Sequence, residues 1–172
     1  LSLVFFVFFP CIGQLGGLHT FEFLNLPTSP RIIALGGYPI SVYDVDVSNG
    51  VNNPSVINEQ MLNNIALNYT NYYTDIFYGD VSYCFSVFDY NFISSIKFID
   101  YGTFVETNEY GQQIGSFSAS EYVISLGSHK KINSLFNIGV NSKFVYSVLY
   151  DLKSFGLLLD VAGSYKHPII DL

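Results

Sequence analysis

The sequence has little charge, no tryptophan and almost no cysteine. Only 12% of its 172 residues are charged, about half the share usual in a soluble domain. Seven Lys and Arg stand against fourteen Asp and Glu, a net charge of −7. Without a basic run, the chain lacks the electrostatic footprint of a nucleic-acid binder. The two cysteines, Cys11 and Cys84, cannot build a disulfide framework. Apart from one N-terminal run, no stretch reaches the length of a membrane-spanning helix. Catalytic motifs are missing as well. Gly115-Ser116-Phe117-Ser118 does not match a nucleophile elbow. His19, His129 and His167 lie far apart in loop-like contexts without metal-ligand spacing. These absences lead us to expect a non-enzymatic protein with no cofactor and no metal.

What the chain has in quantity is apolar surface. Hydrophobic residues make up 49%, with fourteen Tyr and sixteen Phe. Disorder needs the opposite composition, and the length suits one domain.

Residues 1–13 read as a secretory signal with its front missing. The run LSLVFFVFF from Leu1 to Phe9 fits an h-region, and Gly13 is the small residue before a cut. A positive n-region and an initiator Met are lacking, so we expect the signal to begin upstream of Leu1. Removing it leaves Cys84 as a lone thiol that packs as a small strand residue.

Residues 14–62 are irregular. Pro27, Pro30, Pro39 and Pro54 and the pairs Gly16-Gly17 and Gly36-Gly37 punctuate any regular element, although short helical or extended pieces fit. Asp44 and Asp46 have the spacing of a cation site. A hydrogen-bonded loop is the preferred reading.

From residue 63 to residue 172 the pattern has a period of two. Ile65, Leu67 and Tyr69 alternate with Ala66, Asn68 and Thr70. Val81, Tyr83, Phe85 and Val87 alternate with Asp80, Ser82, Cys84 and Ser86, the cleanest strand signal in the chain. Asp89-Tyr90-Asn91 reads as a turn, and a strand-like run follows from about Phe92 to Phe104. Lys97 and Asp100 fall on opposite faces of that run, which leaves its inside undecided. Glu106–Gln112 reads as a loop, Glu121–Leu126 as a strand and Ser128–Asn133 as a second loop. Phe136, Ile138, Val140 and Phe144 then share a face opposite Asn137, Gly139, Asn141 and Lys143. After a link at Asp151–Ser154, Phe155, Leu157, Leu159, Val161 and Tyr165 alternate with smaller or polar residues. Lys143, Asp160 and Lys166 fall on the polar faces of two neighbouring strands, where they can pair and fix register.

About six strands of roughly ten residues in meander order are therefore expected. Two architectures fit. In a soluble sandwich the apolar faces pack inward; in an outer-membrane β-barrel they face lipid and the polar faces line the inside. The barrel is favoured by strand length. It is favoured also by Tyr72, Tyr73, Tyr78, Tyr90, Tyr101, Tyr150 and Tyr165 near strand ends, as candidate interfacial girdles. Ser82, Ser86, Asn137, Gly139 and Asn141 suit a lumen. Bacterial barrels start at eight strands, and an open sheet edge cannot sit in lipid. The expectation is that residues 63–172 form the first half of a barrel completed by further chain.

The segment Thr20–Gly37, TFEFLNLPTSPRIIALGG, resembles the start of the mature PorQ family of the type IX secretion system. The resemblance continues in order through Asp44-Val45-Asp46, Asn53-Pro54-Ser55, Ala66–Tyr69 and Tyr78–Tyr83. It runs on through Ile99–Phe104, Gly115–Tyr122, Ile138–Lys143 and Asp160–Tyr165. It implies an outer-membrane β-barrel of Bacteroidota, similar in fold to PorV and to the fatty-acid transporter FadL. It further implies a non-enzymatic anchor in the cell-surface attachment complex, with PorZ, PorU and PorV-like partners and outer-membrane lipid around the barrel. An alternative function is a FadL-type channel for hydrophobic solutes. No family contact residue carries over to a position here.

Overall fold

The structure, a computed structural model, describes residues 21–166 apart from Pro39, Ser41 and Asp89. The expected signal at 1–13 lies outside the described residues, as do Cys11, His19, His167 and the end of the chain. Six strands follow one another: β1 (Ile65–Asn71), β2 (Phe77–Val87), β3 (Tyr90–Thr107), β4 (Gln113–Lys131), β5 (Phe136–Leu149) and β6 (Leu152–Tyr165). They form one antiparallel sheet in the order β1-β2-β3-β4-β5-β6. The fold is thus the expected all-β meander, with β1 and β6 as its edges rather than a closed ring. Two short helices, α1 (Pro30–Ala34) and α2 (Val47–Asn52), and three 3-10 turns precede the sheet.

Several strands run longer than the periodicity suggests. Tyr90 and Asn91 belong to β3, so the turn before it lies at Phe88, whose φ is 49°. Ser128–Lys131 belongs to β4, which places His129 on a strand and not in a loop. β6 begins at Leu152, so the link before it is only Tyr150-Asp151. Polar residues near strand ends gave these segments the look of loops. The β3–β4 pairing carries two irregularities, between Asp100 and Thr103 and between Glu106 and Thr107. At the first, Gly102 takes φ 77°, and its N–H donates to Asp100 Oδ1 at 2.7 Å, which accommodates the one extra β3 residue as a bulge.

The faces are inverted relative to a water-soluble sandwich. The inward positions of β2 are Asp80, Ser82 and Cys84, all buried, while Val81 and Tyr83 on the same strand are exposed. The strand registers align the outward side chains into rows. One row is Leu67, Val81, Ile96, Ile124, Phe144 and Leu157, one residue from each strand. Every member is exposed, Leu67 by 73% and Leu157 by 84%. Two residues along lies the row Tyr69, Gly79, Phe98, Tyr122, Tyr146 and Phe155. Two further on the character changes to Asn71, Phe77, Asp100, Ser120, Val148 and Lys153. In the opposite direction the aliphatic rows end on a second aromatic set. Phe85 stacks on Phe92 at 5.7 Å between ring centres, and Phe136 meets Tyr165 at 4.8 Å.

The sheet is strongly curved. A flat sheet would hold β1 and β6 about 24 Å apart. Yet Asn68 of β1 donates to Ser48 Oγ at 3.3 Å, while Ser164 of β6 donates to the Ser55 carbonyl at 3.0 Å. Residues 48–55 span only about 12 Å of helix and turn, so the polar face must be concave around them.

Candidate functional site: the concave polar face and its covering segment

The concave face mixes small and hydrogen-bonding residues with the buried Ile93, Ile99, Val123 and Val145, because the chain itself lies against it. Residues 21–62 carry their own scaffold. Asp46 caps α2 by accepting from Ser48 N at 2.9 Å. Asp44 accepts from Asp46 N and from Asn49 Nδ2, each at 2.9 Å, and its other oxygen meets Arg31 at 2.5 Å. The two aspartates therefore form the hydrogen-bonded loop that the sequence favours over a cation site. Asn53 accepts from Ser55 N at 3.0 Å and from Ser55 Oγ at 2.7 Å, and donates to the Ile40 carbonyl at 2.6 Å. Asn58 caps the last 3-10 turn and donates to the Asp44 carbonyl at 2.7 Å. Such local side-chain bonds hold irregular backbone in one shape without a helix or sheet ladder.

Two apolar clusters anchor this segment. Val47, Val56, Ile57 and Met61 pack on Cys84 and Ile93, and Cys84 is the buried small residue expected of it. Phe23 packs on Tyr78, Ile99, Val123 and Val145. Between the clusters the contacts are polar. Lys97 donates to the Leu24 and Leu26 carbonyls at 3.1 and 2.5 Å. Asn141, buried, donates to the Val51 carbonyl at 3.1 Å. Ser95 and Ser125 share a 2.6 Å hydrogen bond, and Tyr101 donates to Glu121 at 2.6 Å. Glycines let the segment approach the wall. A Cβ on Gly139 would lie 2.3 Å from Ser55 N, and one on Gly156 would lie 2.6 Å from the Phe21 ring.

Lys143 and Asp160 pair across β5 and β6 at 2.6 Å, as anticipated. Lys166 lies past the end of β6, with its ammonium 5.3 Å from the Tyr43 ring centre. The undecided faces of β3 resolve with Lys97 inward against the covering segment and Asp100 outward in the polar row. Two tyrosines named for the girdles, Tyr78 and Tyr101, belong inside instead: Tyr78 is in the Phe23 cluster and Tyr101 is bound to Glu121. Sequence reasoning missed Lys97, Asn141 and Ser164 as contacts, because their partners lie 71–109 residues earlier. Tyr38 donates to the Asn25 carbonyl at 2.7 Å, and its phenol is pushed above the ordinary value by partial burial and then by Glu22.

This arrangement can fill and hold a concave wall. It presents no group of three or more His, Cys, Asp or Glu that could hold a metal ion among the described residues. No helix among them is long and apolar enough to cross a membrane. No family model, no curated protein and no solved structure matches the chain.

Proposed function

We propose that the protein is a non-enzymatic outer-membrane anchor: part of a β-barrel wall, filled by its own N-terminal segment, that holds a secretion partner at the cell surface. The observation that carries this reading is the outward band bounded by two aromatic sets. From Phe136 to Tyr146 on β5 are ten steps along the strand, about 34 Å. Tilted by about 40°, that length gives a height of about 26 Å, the height of the apolar band of an outer-membrane barrel. Beyond the aromatic row Asn71, Asp100, Ser120 and Lys153 stand beside Phe77 and Val148, so polar side chains enter where such a wall would meet water.

The resemblance of Thr20–Gly37 and the later strand segments to the PorQ family supports the secretion role and names the candidate partners, PorZ, PorU and PorV-like proteins. The covering segment supports an anchor over an open conduit, since Pro54 and Ser55 press directly on β5. Deleting the gene in its host tests the reading: secreted cargo should be released from the surface into the medium. Cargo that stays attached would refute the anchor.

A FadL-type channel for hydrophobic solutes is the second reading. It is favoured by a cavity of about 250 Å³ on the inward side, lined by Tyr101, Phe104, Ala119 and Leu149 with Glu121 among others. Loss of long-chain fatty-acid uptake in the same deletion strain, with cargo still attached, would select it.

A further inference from the structure

The inward cavity of about 250 Å³ lies where β3, β4 and β5 run past the aromatic row of Tyr122 and Tyr146. Two cross-strand pairs line it, Glu121 opposite Ser147 and Ala119 opposite Leu149. β3 adds Tyr101 and Phe104. Tyr101 donates to Glu121 Oε2 at 2.6 Å, which fixes the carboxylate in the wall. Glu121 Oε1 has no partner among the described residues. All seven Lys and Arg of the sequence are described residues, and the ion pairs among these residues are Arg31–Asp44 and Lys143–Asp160. Glu121 therefore brings a carboxylate into an aromatic-lined hollow with no Lys or Arg paired to it. The aromatic surface continues along the hairpin: Phe104 stacks on Phe117 at 5.2 Å, and Phe117 meets Tyr150 edge-on at 5.3 Å.

We propose that this cavity binds an organic cation, an ammonium or guanidinium group on a short apolar stem. The Glu121 carboxylate supplies a charge-assisted hydrogen bond. Tyr101 and Phe104 supply ring surface that attracts a cation and covers its stem, and the Ser147 hydroxyl adds an acceptor. A neutral occupant would strip water from Glu121 and leave its charge without a partner. A fatty acid would bring a second carboxylate against the first. Size limits the stem: the volume lies just under the range of about 300–1,000 Å³ usual for small-molecule sites, so it takes one cationic group and not a long chain. A free solute and an Arg or Lys side chain of a partner protein share this chemistry. The proposal rests on the cavity itself and goes beyond the anchoring role.

The test is isothermal titration of the full chain in a non-ionic maltoside micelle. One arm adds butylguanidinium. A second adds a capped glycine-serine peptide with a single central arginine. Butylurea, and the same peptide with citrulline in place of arginine, are the neutral isosteres. The expected result is saturable binding in at least one arm, weakened at least about tenfold by the neutral isostere and by Glu121→Gln. Glu109→Gln, in the β3–β4 turn and outside the cavity, should bind as the parent does. Binding of butylguanidinium alone assigns a solute; tighter binding of the peptide assigns a partner's side chain. Absence of saturable binding in both arms overturns the proposal. So does a neutral isostere that binds as tightly as its cation, a comparison that needs no variant. A Glu121→Gln protein with a parent-like circular dichroism spectrum and undiminished binding overturns it as well.

Discussion

Gly139 of β5 and Ser55 of the covering segment touch backbone to backbone: a methyl group on Gly139 would stand 2.3 Å from the Ser55 nitrogen. No flexible side chain is available there to move aside. The Gly139→Ala protein should therefore displace residues 53–56 from the wall, at a cost of about 1–3 kcal/mol typical of overpacking. Limited proteolysis checks this, with new cleavage expected between residues 40 and 60. Gly163→Ala is the control, because a Cβ there meets only the Asn137 carbonyl oxygen, at 3.9 Å.

Lys97→Met should loosen the first part of the same segment. It leaves the half-buried Leu24 and Leu26 carbonyls without their donor, and water can replace it only in part, so the loss is about 1 kcal/mol, the low end for an orphaned acceptor. Hydrogen exchange should rise over residues 21–26 and stay unchanged around Val56 and Met61, which belong to a separate apolar cluster.

A charge in the middle of the outward band separates a lipid-facing wall from a water-facing one. In a bilayer Leu126→Arg or Leu159→Arg should cost about 2–4 kcal/mol, because both lie in the row of Ser142, close to the midpoint of the Phe136–Tyr146 stretch of β5. In water the same changes should be nearly silent, since both residues are already exposed. The measurement is unfolding in phospholipid vesicles against urea, with Ser120→Arg in the polar row as the reference.

The Lys143–Asp160 pair should contribute little by itself. Its side chains remain 22% and 41% exposed, and pairs of that kind couple by at most about 1 kcal/mol. A double-mutant cycle with Lys143→Met and Asp160→Asn checks this.

Tyr150 gives a pH signature at the β5–β6 turn. The Glu106 carboxylate, then Asp151, raise its phenol above the ordinary value. With the folded value raised, the neutral phenol is favoured in the fold, so any contribution is intact below the unfolded value and fades as pH climbs through the folded one. Ultraviolet titration should show a tyrosine ionising late, and Glu106→Gln should bring it earlier.

Much of the sheet could be read in the residues because alternation is local. Ile65–Tyr69, Val81–Val87 and Phe155–Tyr165 declare both strand and face within a few positions. What escaped reading depends on distance along the chain. Lys97 shows its inward direction only through carbonyls 71 and 73 residues earlier. The aromatic row through Tyr69, Phe98, Tyr122, Tyr146 and Phe155 exists only once the registers of five strand pairs are set. Single-strand inspection placed Tyr78 and Tyr101 in a girdle for the same reason. Strand ends were shortened wherever polar side chains such as His129 and Lys130 lay on a strand that outruns its apolar part.

The hydrogen bond from Ser164 to the Ser55 carbonyl joins residues 109 positions apart, and it imposes a timetable on assembly. The segment that fills the concavity is synthesised before any of the wall that encloses it. It carries its own caps and loop bonds, so it can take shape early, yet it gains its last contacts only when β6 arrives. Long-range closure of this kind is slow. Until it completes, apolar strands have neither lipid nor neighbour to cover them and are prone to aggregate. For the lipid-facing wall proposed above, this order calls for an escort on the way to the bilayer, and the interval before β6 docks is when that escort matters most.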